Sequence, residues 1–133
     1  MNKIITKGMK LLLRYWLLNK IHDEQLLLLT EKYLKNRLLD IGCGTRSFKD
    51  LLDPYVTEHI GVDQEGTLYD KSNVDLFGTA YQIPVEDASF DSAICIAALE
   101  HLEERELALH ECYRVLKPGG VAIYSVPFIW HLH

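Results

Sequence analysis

Apolar and polar residues follow two different periods in this chain, and the change between them divides it. Over 7–18 and again over 24–35 the apolar residues recur at helical spacing, with Leu26, Leu27, Leu29, Tyr33 and Leu34 on one face of the second stretch. Asp23 precedes that stretch as an N-cap and Asn36 follows it as a stop, so two helices are predicted before residue 37. Beyond that point, apolar runs at 37–41, 59–63, 74–79, 90–97 and 121–126 have the length and content of buried strands. Gly78 weakens the third of them. Between the strands stand a short helix at 47–52, stopped by Asp53-Pro54, and a longer one at 102–115. Lys117-Pro118-Gly119-Gly120 reads as the end of that helix and a turn into the last strand, which Pro127 closes. Strands alternating with helices predict an α/β fold, a Rossmann-like parallel sheet of about five strands with helices on both faces. The expected organisation is an N-terminal helical segment over 1–36 and an α/β core over 37–133.

Composition narrows the functional classes. A chain of 133 residues with 48% hydrophobic and 25% charged positions has the make-up of an ordinary globular domain. Its net charge of -5 argues against an extended nucleic-acid face, so no nucleic acid is expected as a partner. The cations Lys3, Lys7, Lys10 and Arg14 all precede the first acidic residue. That basic, leucine-rich beginning lacks the roughly 20 apolar residues of a spanning helix and shows no small-residue cleavage site. A cytoplasmic protein is predicted. Contact of the basic N-terminal helix with a membrane surface stands as the alternative to packing on its own domain. Cys43, Cys95 and Cys112 fit no zinc-ligand spacing and read as small apolar filler in a reducing compartment, and no metal site is expected.

The chemistry concentrates at Leu38-Leu39-Asp40-Ile41-Gly42-Cys43-Gly44-Thr45, an apolar strand that stops in a glycine turn. Such a turn at the carboxyl edge of a parallel sheet suits a nucleotide-shaped ligand. Asp63 ends the next strand, where a carboxylate can accept hydrogen bonds from both hydroxyls of a ribose. A dinucleotide site would carry a third glycine, but Ser47 stands at the sixth place. Asp40 before the turn repels a diphosphate and favours a cationic ligand.

With these residues in view, the chain resembles the class I S-adenosylmethionine-dependent methyltransferases, and within them the type-11 branch of small-molecule enzymes. Four blocks carry the resemblance in order, from about residue 37 to residue 126. They are the glycine-turn block, Ile60-Gly61-Val62-Asp63, then Ile83-Pro84 through Phe90-Asp91 to Leu99-Glu100-His101-Leu102, and Arg114-Val115-Leu116-Lys117-Pro118-Gly119-Gly120. The resemblance implies S-adenosyl-L-methionine as cofactor. It places Gly42 and Gly44 under its methionine and ribose parts, Asp40 beside its amino group, and Asp63 on the ribose hydroxyls. Thr79 and Ala80 match an Asp-Ala pair that reads the adenine, with Thr79 a departure, and Ile96 matches a position lining the methionine pocket. Arg46 departs from a glycine of many relatives and is expected to point outward into solvent.

Glu100 and His101 follow the fourth strand at the mouth of the site. Histidine has the ordinary pKa of a general base, which makes His101 a catalytic candidate. The preferred reading is that both residues cap and orient the following helix, because methyl transfer from a sulfonium depends mainly on alignment. The family's sheet has two further strands beyond the fifth, so the resemblance implies a chain truncated after strand five. That strand then forms an edge, and Val121-Ala122-Ile123-Tyr124 suits self-association. His131 and His133 lack a third metal ligand, and 128–133 fits a truncated reading frame. The expected activity is methyl transfer to a small-molecule acceptor. A non-catalytic or partner-dependent cofactor-binding module is the alternative, and an NAD-dependent oxidoreductase comes third.

Overall fold

The computed structural model describes residues 2–66 and 70–126. The chain divides into two compact units, Met1–Lys32 and Tyr33–His133. One continuous helix, α1, runs over Asn2–Tyr33, where the sequence pattern predicts two. The physical reason lies in the presumed break. Residues 19–23 contain no proline or glycine, Lys20 bridges to Glu24 one turn on at 3.8 Å, and Asp23 pairs with His22. Helix propagation therefore costs less than a stop. Along this helix Leu12, Leu13, Tyr15, Trp16, Leu17, Leu18 and Ile21 are exposed.

The second unit is a five-stranded sheet in which every strand pairing is parallel. Its strands are β1 (Arg37–Ile41), β2 (Glu58–Asp63), β3 (Leu76–Phe77), β4 (Phe90–Ile96) and β5 (Leu116–Ser125), in the order β3-β2-β1-β4-β5. A short helix, α2 (Lys49–Leu52), joins β1 to β2, and α3 (Arg105–Val115) joins β4 to β5. The chain builds outward from β1 through β3, then crosses back to lay β4 against the other side of β1. β1 is thereby paired on both edges, and Leu38, Leu39, Asp40 and Ile41 are all buried. A run hydrophobic on both faces is what such a central strand requires. On one face Leu39, Ile41, Val62, Phe90 and Ala93 pack with Cys112 and Val115 of α3. Each large side chain there contributes about 2 kcal/mol through burial.

Three differences from the sequence pattern change the architecture. β3 keeps only two residues of the 74–79 run. Gly78 there admits no side chain, because a Cβ would meet Pro84 Cδ at 2.7 Å and the Gln82 carbonyl at 3.0 Å. The helix predicted from 102 starts at Arg105, after a 3-10 turn over Leu99–His101. Lys117-Pro118-Gly119-Gly120 is not a turn outside the sheet but an irregular stretch inside β5. Phe90 pairs with Leu116 and Ser92 with Val121, so the four residues bulge opposite Asp91. Gly119 takes the left-handed conformation the bulge needs, at φ 79°, and Lys117 Nζ pairs with the Asp91 carboxylate at 3.2 Å. The predicted features at Pro127 and 128–133 lie outside the described residues.

Candidate functional site

In an open parallel sheet the ligand crevice lies where successive connections leave to opposite sides, outside the carboxyl ends of the strands. Here that point falls between β1 and β4. A cavity of about 420 Å³ opens there. Asp40, Gly42 and Gly44 line it from the end of β1, Asp63 from the end of β2, Thr79 and Ala80 from beyond β3, and Ile96 from β4. All seven residues proposed from the sequence as cofactor contacts therefore share one cavity, and His101 lies at its wall as well.

The glycine turn is held by its neighbours. Gly42 N–H donates to the Val62 carbonyl at 2.9 Å, and Gly44 N–H donates to Asp63 Oδ2 at 2.8 Å. Gly42 and Gly44 both have positive φ. A Cβ on Gly42 would also stand 3.0 Å from the Cβ of Ala98, so a side chain is excluded on two grounds. Asp63 thus braces the turn with one oxygen, while Oδ1 accepts from the Gln64 amide. Thr79 Oγ1 accepts from the amides of Tyr81 and Gln82, closing its own turn.

Arg46 corrects an expectation. Its side chain is 7% exposed rather than solvated. Its guanidinium pairs with Asp75 just before β3 and donates to the His59 carbonyl. Asp75 also accepts the Gly61 amide at 2.8 Å. Gly61 makes the inward course of Arg46 sterically feasible, since a Cβ there would lie 2.6 Å from Arg46 Nε and 2.7 Å from Cys43 Sγ. No local pattern reveals Asp75 as the partner.

Sequence reasoning also missed His59. Its ring is 4% exposed and lies between two carboxylates, with Nε2 at 3.0 Å from Asp40 Oδ2 and Nδ1 at 2.7 Å from Asp53 Oδ1. Lys49 of α2 holds Asp53 from the other side. Burial disfavours charge on the ring, but the hydrogen bonds to Asp40 and Asp53 outweigh it and hold the imidazole above its ordinary value. Alternation sets Asp40 with Leu38 on one face of β1 and His59 with Gly61 on one face of β2. Only the register, in which Leu38 pairs with His59 and Asp40 with Gly61, brings the two onto the same face of the sheet.

Glu100 and His101 do not cap α3. The helix begins after Glu104 without a side-chain cap, and Arg105 reaches back to the carbonyls of Leu99 and Glu100. Both carboxylate oxygens of Glu100 are buried without a hydrogen-bond partner among the described residues. The three cysteines are free and buried. Burial, joined by the charges of Asp40 and Asp63, pushes the Cys43 thiol up to about 11, and burial takes Cys95 to about 12. Neither is a nucleophile at neutral pH. No group of three or more metal-ligating side chains occurs among the described residues.

Glycines that admit close approach, two carboxylates from neighbouring strands, and a guanidinium committed to Asp75 meet at this cavity, the arrangement of a Rossmann-like nucleotide-binding domain. More particularly, the chain belongs to the class I S-adenosylmethionine-dependent methyltransferases. The family described as "Methyltransferase domain" matches residues 39–124. A probable S-adenosylmethionine-dependent methyltransferase of Mycolicibacterium smegmatis is 33% identical over 97 residues, covering 68% of this chain and 37% of that protein. A ubiquinone biosynthesis O-methyltransferase of Alkalilimnicola ehrlichii is 31% identical over 100 residues, covering 67% and 40% respectively. A crystal structure of a Pyrococcus horikoshii protein aligns with TM-score 0.66 at 30% identity, over 83% of this chain and 54% of that one. The chain thus spans about two fifths of the length of these curated relatives.

Proposed function

We propose that the core over 37–133 binds S-adenosyl-L-methionine in the cavity between β1 and β4 and transfers its methyl group to a small-molecule acceptor. One observation carries this reading: Asp40 and Asp63 line the same cavity on either side of the glycine turn, while Arg46 beside them is already paired with Asp75. That charge pattern suits a ligand bearing an ammonium and a ribose and opposes a diphosphate, which weighs against NAD. The cofactor supplies an electrophilic methyl on sulfur. The residues of this chain supply position. Asp63 offers acceptors to ribose hydroxyls, Asp40 a carboxylate to an ammonium, and Gly42, Gly44 and Ile96 the close wall beside them. Thr79 and Ala80 border the adenine side. Alignment of this kind accounts for most of the acceleration such a transfer needs. His101, at the cavity wall, is the residue to test as proton acceptor from an acidic substrate group.

Titration calorimetry with S-adenosylmethionine and S-adenosylhomocysteine tests the reading. Asp63→Ala is expected to weaken both about a hundredfold, the loss of two hydrogen bonds to a charged group. Circular dichroism verifies that the variant remains folded. A folded wild-type chain that gives no heat with either ligand, or that selects NAD, overturns the proposal. Binding without transfer to any acceptor supports a binding module instead.

Two finer partner readings accompany it. The basic positions Lys3, Lys7, Lys10, Arg14 and Lys20, together with exposed Leu12, Leu13 and Trp16, support contact of α1 with an anionic membrane surface. Among the described residues no helix is long and apolar enough to cross a membrane. Flotation with phosphatidylglycerol vesicles but not with phosphatidylcholine vesicles is the expected result. β5 lies at a sheet edge among the described residues, which supports self-association. A monomeric sedimentation profile at high concentration counts against that. Three buried free thiols suit a cytoplasmic location.

A further inference from the structure

The group that stands behind Asp40 has no part in the reading above, and it rests on that reading only for the identity of the ligand. A neutral imidazole has one N–H and one lone pair, whereas a carboxylate only accepts. Both ring nitrogens of His59 face carboxylate oxygens within hydrogen-bond distance, so the bridge requires two donors. Asp53 is held as a carboxylate: burial opposes its ionisation, but hydrogen bonds from Lys49 and His59 bring it below its ordinary value. The groups that face the ring are Asp40 from β1, Asp53 beyond α2, and Arg46 from the glycine turn, whose Nη2 donates to the carbonyl of His59 itself. Lys49 stands behind Asp53.

We propose that His59 is a positioning residue: as an imidazolium bridging Asp53 and Asp40, it fixes the Asp40 carboxylate at the cavity wall for the ammonium of the ligand. Oδ2 of Asp40 is taken by the ring, which leaves Oδ1 for what enters the cavity. The outer half of the bridge is the accessible half, since the Asp53 side chain is 34% exposed and that of Asp40 only 10%. His59 reaches the cavity through Asp40 and not through Asp63, and so serves the ammonium-bearing part of a ligand and not its ribose or adenine. This separates positioning from a general contribution to folding.

The experiment uses the full chain and two probes, S-adenosylhomocysteine, which carries the ammonium, and adenosine, which lacks it. His59→Phe is expected to weaken S-adenosylhomocysteine about tenfold and adenosine less than about twofold, the difference being one charge-assisted contact. His59→Gln, which keeps an N–H donor, restores most of the loss. Equal losses for both probes overturn the proposal, because they mark a structural role. Nitrogen-15 spectra of the ring give a readout independent of binding: two protonated nitrogens at pH 7 support the bridge, and a single N–H overturns it. If His59→Phe does not fold, Asp53→Asn replaces it, altering only the outer carboxylate. It is expected to bring the titration of His59 down and to weaken S-adenosylhomocysteine alone; an unchanged titration overturns the proposal. A wild-type chain that binds neither probe overturns the cofactor reading, and the ring spectra then decide the bridge by themselves.

Discussion

Two arginines fasten two regions of the core in different ways. Arg114, at the end of α3, uses all five of its donors. Nη1 donates to the Val85 carbonyl and to Asp87, Nη2 to the Ile83 carbonyl and to Glu111, and Nε to Glu111 as well. It clamps the loop after β3 to the helix, remote from the chemistry, with its side chain 32% exposed. Arg46 lies beside the cavity, 7% exposed, and its Nε is buried with no hydrogen-bond partner among the described residues. Saturated, half-exposed bonding is how a structural clamp lowers the free energy of the fold. A deeply buried, incompletely satisfied guanidinium is a cost the fold carries next to its site. The difference teaches where stability and function separate in this molecule.

The comparison is sharpened most by removing the saturated clamp. Arg114→Ala removes the guanidinium's bonds to two loop carbonyls, Asp87 and Glu111, leaving Glu111 only the Ile83 amide. An expected loss of about 3 kcal/mol in denaturant unfolding follows. The affinity of the folded fraction for S-adenosylhomocysteine is expected to stay within about twofold. An affinity that falls in step with stability would join the two regions into one unit and break the contrast.

A smaller effect is expected at the other arginine through its seat. Gly61→Ala sets a methyl group against Arg46 Nε and Cys43 Sγ, at an expected cost of about 1–2 kcal/mol by overpacking. Here affinity should fall with stability, because the displaced groups lie under the glycine turn. Calorimetry on the folded variant measures it, and unchanged affinity would mean that Arg46 yields without moving the turn.

The smallest effect is the pH response, and it differs in sign between the regions. Hydrogen bonds from Arg114 hold Glu111 below its ordinary 4.5 against the opposing effect of burial. Its contribution is therefore complete above that pH and is lost as pH falls through the lowered value. His59 is raised above its ordinary 6.5, so its contribution is complete below that pH and is lost as pH rises through the raised value. The stability gap between wild type and His59→Gln should narrow from pH 6 to pH 9. Over the same range the gap to Arg114→Ala should stay level. Unfolding midpoints at each pH decide between this pattern and two parallel curves.

Much of the site was legible because it is built from strand ends. A buried run such as 38–41 announces a central strand, and glycines at 42 and 44 announce a turn that admits no side chain. The ordered blocks then brought Asp40, Asp63, Thr79, Ala80 and Ile96 to one sheet edge, where the cavity lies. What escaped was everything fixed by partners remote in sequence. Arg46 looked like a solvated turn residue because nothing near it in the chain announces Asp75, 29 positions away. Lys117-Pro118-Gly119-Gly120 has the composition of a turn, and only its pairing opposite Asp91 makes it a bulge within β5. The break expected near Asp23 failed for the opposite reason, since a capping residue is only a weak signal in an unbroken helical stretch.

The sequence by itself determined the α/β class, the strands and the glycine turn, because periodicity and glycine placement are local properties of the chain. The resemblance to a known family added Thr79, Ala80 and Ile96 to the residues around the cavity. Tertiary structure alone decided the charge states and contacts that make those residues a site. Asp40 acquires His59 and Asp53 behind it, and Arg46 turns inward over Gly61, only once β1, β2 and β3 lie side by side. Electrostatic pairing depends on distance through space and on exclusion of water, and neither quantity exists in the chain before it folds.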